Sequence, residues 1–232
     1  MKIALIGDSL TEGRPGVSFH TLLEDRFPNI TFVNLGKPGE TVKSLYTRLL
    51  DKNLEGNYDL SFLWIGVNDV YSKLLSVQAQ PVAKDNDEFQ AYYEKVLELV
   101  IASSKKVVTV TPALVGENID NAPNKEIKEL NQLIQSLVLK QSNVSFLDIQ
   151  SVFFNNLSTV NSSDYISTKV LSVMVDVLFY NKPSRIDKKS KKRGLQLTLD
   201  GIHLNSTGAQ LVADIYTSEI EQLLKNSQQE VQ

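Results

Sequence analysis

The sequence predicts an α/β fold, a parallel sheet covered on both faces by helices. Short apolar runs alternate with helical patterns of ten residues or more, the rhythm of βαβ units. The runs are apolar throughout instead of alternating with polar residues, as strands buried on both faces require. Right-handed crossovers then distribute the helices to the two sides of the sheet.

The elements follow in order. Lys2–Gly7 (KIALIG) reads as a buried first strand. Val17–Phe27 carries Phe19, Leu22, Leu23 and Phe27 at helical spacing. Ile30–Leu35 is a second strand, and Thr41 precedes a helix bearing Val42, Leu45, Tyr46, Leu49 and Leu50. Leu60–Ile65 is a third strand. Asn86–Ser103 is helical through Phe89, Tyr92, Tyr93, Val96, Leu97 and Val100. Lys106–Val110 is a fourth strand, ended by Thr111-Pro112, and Pro123–Leu139 is the next helix. Val144–Ile149 is a fifth strand, and Ser206–Leu224 is a closing helix.

The chain has 232 residues, 42% of them hydrophobic, enough for one well-cored domain of this class. Its net charge of −3 argues against nucleic acid as the main partner. There is no cysteine, and so no disulfide, thiolate nucleophile or Cys-ligated metal. The first strand pattern begins at residue 2 with no leader pattern ahead of it. No apolar stretch approaches the ~20 residues that span a bilayer. The expectation is a soluble, cytoplasmic protein.

In an open parallel sheet, ligands bind outside the carboxyl ends of the strands. Four loops at that end carry informative residues: Gly7-Asp8-Ser9-Leu10, the stretch NLGKPGET at 34–41, Gly66-Val67-Asn68-Asp69, and LDGIHLN at 199–205. Of the two histidines, His20 lies within a helix pattern, where a surface role fits. His203 follows Asp200 by three residues, so a short loop can fold the carboxylate onto Nδ1 and leave Nε2 to take a proton. Each feature has an ordinary reading: Asp200 and His203 as a loop with a helix cap, Gly39 as a turn residue after Pro38, Asn68 as a turn former. Together they form the set that acyl transfer needs. Ser9 supplies a nucleophile and a backbone N–H, Gly39 a bare N–H, Asn68 an amide N–H, and His203 with Asp200 a base and its orienter.

These four ordered blocks resemble those of the GDSL, or SGNH, hydrolase family, and the resemblance spans Met1 to the final helix except for one insertion. It implies a flavodoxin-like three-layer α/β/α sandwich with sheet order 2-1-3-4-5. Ser9 would emerge beside Asn68 at the switch point between strands one and three. It implies Ser9, Asp200 and His203 as a catalytic triad, with Ser9, Gly39 and Asn68 as oxyanion donors. Gly36 is a weaker alternative to Gly39. No metal or cofactor is expected. The implied activity is hydrolysis of small or lipid acyl esters through an acyl-enzyme. Deacetylation of a carbohydrate on the same site is the alternative, and an inactive ligand-binding module is the alternative of a different class. A phosphate-binding reading lacks both a Walker lysine and a G-x-G-x-x-G.

The segment from about 151 to 197 departs from the pattern and reads as an insertion into one 232-residue domain. It holds a predicted helix, Asp164–Tyr180, and then Lys182–Arg193, with seven positive residues and one negative. One reading packs this helix on the flank and leaves the basic run as a solvated loop. The other makes the helix a lid over the acyl pocket and lets the basic run touch an anionic membrane surface.

Overall fold

The structure is a computed structural model and describes residues 1–51, 54, 56–75, 80–139, 141–168 and 182–229, with side chains described as far as Lys225. Five parallel strands form one sheet: β1 (Lys2–Gly7), β2 (Thr31–Gly36), β3 (Tyr58–Trp64), β4 (Ser104–Val110) and β5 (Val144–Leu147). Their order is β2-β1-β3-β4-β5, so the strand order reverses on either side of β1. Gly7 at the end of β1 lies level with Gly36 of β2 and Trp64 of β3. The three loops that follow these residues therefore leave the sheet side by side.

The helices are α1 (Ser9–Glu12), α2 (Phe19–Arg26), α3 (Val42–Asp51), α4 (Val67–Tyr71), α5 (Asn86–Ala102), α6 (Ala122–Val138), α7 (Ile149–Leu157), α8 (Pro183–Lys192) and α9 (Ser206–Gln229). α2 and α9 pack together against one face of the sheet, and α3, α5 and α6 pack together against the other. An aromatic cluster joins the first pair to β3. Tyr216 of α9 stacks on Phe62 at 4.1 Å between ring centroids, and Phe19 of α2 meets Tyr216 and Trp64 edge-on at 5.1 and 5.7 Å. Phe62 and Trp64 are two apart on β3 and so face the same helices. Removing such a fully buried ring costs about 3–5 kcal/mol. The result is the three-layer α/β/α sandwich with the strand order that the resemblance implied.

Several local differences from the sequence reading have clear causes. The fifth strand stops at Leu147, because Asp148 accepts the Ser151 N–H at 3.0 Å and caps α7. Ile149 then begins a helix whose Ile149, Phe153 and Leu157 are buried at i, i+4, i+8 spacing. The basic run is a helix, α8, and not a loop: Pro183 occupies its first turn, where a missing N–H costs nothing, and Ile186 and Ser190 are buried one turn apart. Of the predicted helix 164–180, residues 164–168 are irregular, and residues 169–181 lie outside the described residues.

Candidate active site

The site begins with the way β1 ends. A Cβ at Gly7 would stand 2.3 Å from the Trp64 carbonyl oxygen and from Thr11 Oγ1, so only glycine lets the chain turn there. Asp8 caps α1 by accepting the Leu10 N–H at 2.9 Å. Ser9 is thereby fixed as the first residue of a four-residue helix, with its side chain at the carboxyl edge of the sheet.

Across the sheet, the turn before α9 brings in the last block. Leu199 N–H donates to the His203 carbonyl at 2.6 Å, and Thr198 bridges to Leu204, so residues 198–204 close on themselves. Asp200 Oδ1 accepts the N–H groups of Ile202 at 3.0 Å and His203 at 2.9 Å, while Oδ2 lies 2.8 Å from His203 Nδ1. His203 Nε2 lies 2.9 Å from Ser9 Oγ. Ser9, His203 and Asp200 thus form one hydrogen-bonded chain, and all three are buried. Burial pushes Asp200 upward, but the His203 charge, its ring hydrogen bond and the two backbone N–H groups together hold the carboxyl below its ordinary value.

The second and third blocks form another unit. Gly39 has φ of +70°, which suits glycine, and an added Cβ there would meet nothing within 4 Å. Gly36 is differently placed. Its N–H is taken by Asn34 Oδ1 at 2.9 Å, and a Cβ would stand 2.2 Å from the Glu12 nitrogen. Gly36 is therefore a packing glycine beneath the Ser9 turn. Asn68, on α4, donates from Nδ2 to the Glu40 carbonyl at 3.0 Å, so it joins the residue that follows Gly39. His20 sits elsewhere, on α2 beside Glu24 and Phe32.

Several supporting residues were not singled out from the sequence. The buried Glu40 carboxylate pairs with Arg48 through both oxygens, with Nε donating to Oε1 at 2.7 Å. Asn34 Nδ2 donates to the Thr11 carbonyl at 2.9 Å and holds the end of α1. Asp69 accepts the Val42 N–H at 3.0 Å and anchors α3 behind the Gly39 loop. Burial raises Asp69 to about 7, against the Val42 and Ala83 N–H groups and with the Asp8 charge adding to the rise. Asp8 is also raised to about 7, chiefly by burial; the Leu10 N–H and the His203 charge oppose the rise and the Glu40 charge adds to it. Asp8 therefore feels both units of the site.

Chemically, the first unit offers a hydroxyl beside an imidazole oriented by a carboxylate, and the second offers an amide and a glycine N–H. Among the described residues no group of three or more His, Cys, Asp or Glu side chains could hold a metal ion. No helix of the described residues is long and apolar enough to cross a membrane.

Residues 5–211 match the profile of the GDSL-like lipase/acylhydrolase family. The chain is 23% identical over 181 residues to an acetylxylan esterase of Geobacillus stearothermophilus, covering 68% of this chain and 80% of that protein. The crystal structure of an acetyl xylan esterase, AlAXEase, superposes with a TM-score of 0.67 at 22% identity, over 95% of this chain and all of that one. A catalytic serine-to-alanine variant of Axe2, an acetylxylan esterase from Geobacillus stearothermophilus, superposes with a TM-score of 0.65 at 20% identity, over 94% of this chain and 93% of that one.

Proposed function

The chain belongs to the GDSL-like lipase/acylhydrolase family and is a serine carboxylic ester hydrolase; on that premise we propose that Ser9 is its nucleophile, His203 its general base and Asp200 the orienter of His203. The observation that carries this assignment is the continuous chain from Ser9 Oγ to His203 Nε2 at 2.9 Å and from Nδ1 to Asp200 at 2.8 Å.

The chemistry follows from the geometry. His203 Nε2 takes the Ser9 proton as Oγ attacks the ester carbonyl carbon. Asp200, held below its ordinary value by His203 first and by its two backbone donors as well, stabilises the imidazolium that forms. The Ser9 and Gly39 N–H groups and the Asn68 amide donate to the oxyanion. Gly39 is favoured over Gly36 because the Gly36 N–H is already engaged by Asn34. The alcohol leaves with the proton from His203, and water then cleaves the acyl-enzyme by the same route.

The substrate we propose is an O-acetylated carbohydrate, in preference to a lipid ester. The support is the likeness to acetylxylan esterases in sequence and in structure. Activity on p-nitrophenyl acetate, its loss in Ser9→Ala, and a comparison of acetylated xylo-oligosaccharides with p-nitrophenyl esters of increasing chain length test the whole reading. A folded Ser9→Ala protein at wild-type rate would remove Ser9 from the mechanism. A preference for long acyl chains over acetylated sugars would return the lipid-ester reading.

Contact of α8 with an anionic membrane surface is a separate proposal. Its support is the exposure of Lys182, Arg185, Lys188, Lys191 and Lys192 along this one segment. The same helix is tied to the site loop, because Asp187 accepts from the Ser206 N–H and hydroxyl at 3.0 and 2.8 Å and Ser190 donates to the Thr198 carbonyl at 2.6 Å. These bonds fix α8 beside the site loop; the lid reading concerns the predicted helix 164–180, of which residues 169–181 lie outside the described residues.

A further inference from the structure

Glu117 lies in the loop between β4 and α6, far in sequence from every block of the site, and is only 3% exposed. Its carboxylate accepts five hydrogen bonds. Oε1 receives the Leu197 and Thr198 N–H groups, each at 2.8 Å, and the Thr198 hydroxyl at 2.7 Å. Oε2 receives the Gln196 N–H at 2.7 Å and the Ser162 hydroxyl. Five donors suit an ionised carboxylate, which only accepts. Among the described residues no Lys, Arg or His pairs with it.

A buried charge held by hydrogen bonds alone is costly unless every donor is in place. It therefore over-determines the loop that supplies the donors. Residues 196–198 lead directly into the turn that carries Asp200 and His203. The clasp continues through that turn: the Thr198 hydroxyl that donates to Glu117 also accepts the Gly201 N–H at 3.1 Å, and the Gly116 N–H donates to the Gly201 carbonyl at 2.7 Å. Residues 116–117 thus hold the turn on both sides of Asp200, whose carboxylate must meet His203 Nδ1 at 2.8 Å while Nε2 meets Ser9 at 2.9 Å.

We infer that Glu117 is a positioning residue for the ester hydrolysis, acting through the 198–201 turn to set Asp200 against His203. The inference rests on the proposed triad. It distinguishes Glu117 from a residue that merely stabilises the loop, because it places the effect of Glu117 on the base.

Glu117→Gln tests it, since the amide turns donors toward the N–H groups it must accept. With p-nitrophenyl acetate, kcat should fall by about 10²-fold, the scale of a displacement of about 1 Å in a reacting group, with KM changed by less than about threefold. The apparent pKa of the kcat/KM profile should fall, because an imidazolium that loses its carboxylate partner is less favoured. The low-field proton resonance of His203 Nδ1–H, assigned by its absence in His203→Gln, should shift or broaden. Should Glu117→Gln fail to fold, Thr198→Val removes the hydroxyl that links Glu117 to Gly201 and should move the same readouts in the same direction. A folded variant with unchanged kcat, pH profile and resonance overturns the inference. So does a loss of kcat that only matches the loss of folded protein while the pH profile and resonance stay put. Ser9→Ala separates the levels. Activity retained there overturns the triad reading and the role of Glu117 with it, whereas an inactive Ser9→Ala beside an unaffected Glu117→Gln overturns the role of Glu117 alone.

Discussion

The Asn68 amide donates to the Glu40 carbonyl oxygen at 3.0 Å, which binds the loop after β3 to the loop after β2. Nδ2 carries two hydrogens, so one fixes the side chain while the other is available to an oxyanion. Glu40 is itself clamped by Arg48, which also donates to the Leu35 carbonyl at 3.0 Å. Asn68→Ala should therefore lower kcat by about 10²–10³-fold, the scale for one lost oxyanion donor. Steady-state kinetics on p-nitrophenyl acetate provide the check. A rise in KM with kcat unchanged would make Asn68 a substrate-binding residue.

The two glycines of the second block should respond in opposite ways. Gly39→Ala meets open space and pays only for its positive φ, about 1–2 kcal/mol. It keeps its N–H, so much of the activity should survive. Gly36→Ala drives a Cβ to 2.2 Å from the Glu12 nitrogen and 2.8 Å from the Asp8 carbonyl. It should lower the melting temperature more and disturb the turn that presents Ser9. The comparison needs thermal melts and esterase rates of both variants. Full activity in Gly36→Ala would mean that the turn is not held from below.

How much of this was legible beforehand depends on the distance between cause and effect along the chain. Ser9 and Asn68 stand just past strand ends, which parallel topology alone gathers, whereas Asp200 and His203 stand in the turn before the last helix, where their three-residue spacing is the signal. α8 announced itself by Pro183 and by Ile186 and Ser190 one turn apart, but the density of lysine hid that spacing. The start of α7 is likewise signalled by Asp148, a good N-cap that lies inside the apolar strand pattern Val144–Ile149. Glu117 had no such signal: its partners are mostly backbone N–H groups about eighty residues away. Backbone donors leave no mark in a sequence. Asn34 was masked for the same reason, because its side chain bonds to main-chain atoms of Gly36 and Thr11.

Asp8 and Asp69 give a pH prediction with a definite sign. Both are raised from 3.8 to about 7 by burial, so between those values the native state holds protons that the unfolded chain has released. Their contribution is complete below pH 3.8 and is lost as pH rises through about 7. Asp200 is lowered and acts in the opposite sense, but only as pH falls below its ordinary value. Stability should thus decline between pH 3.8 and about 7 and level off above that, at no more than about 1.4 kcal/mol per unit for each group. Asp8→Asn, which keeps an acceptor for the Leu10 N–H, should flatten the decline in urea titrations. An equally steep decline in Asp8→Asn would assign it to other groups.

The basic helix is the last test, because it separates electrostatic contact from catalysis. Arg185, Lys188, Lys191 and Lys192 are exposed, whereas Asp187 and Ser190 hold α8 to the site loop. Changing the four cations to Gln leaves both anchors in place. Hydrolysis of p-nitrophenyl acetate should then stay within about twofold of wild type, as expected of surface changes. Sedimentation with vesicles rich in phosphatidylglycerol should behave differently. At about 1 kcal/mol per cation near an anionic surface, the wild-type protein should bind at low salt and the variant should bind at least ~10²-fold more weakly. Wild-type binding should also disappear near 1 M salt, where the Debye length falls to about 3 Å. No wild-type binding at low salt would remove the membrane contact and leave α8 as a structural brace. A variant that loses acetate hydrolysis as well would show that these cations act on the site loop, and the surface reading would give way to a role in positioning it.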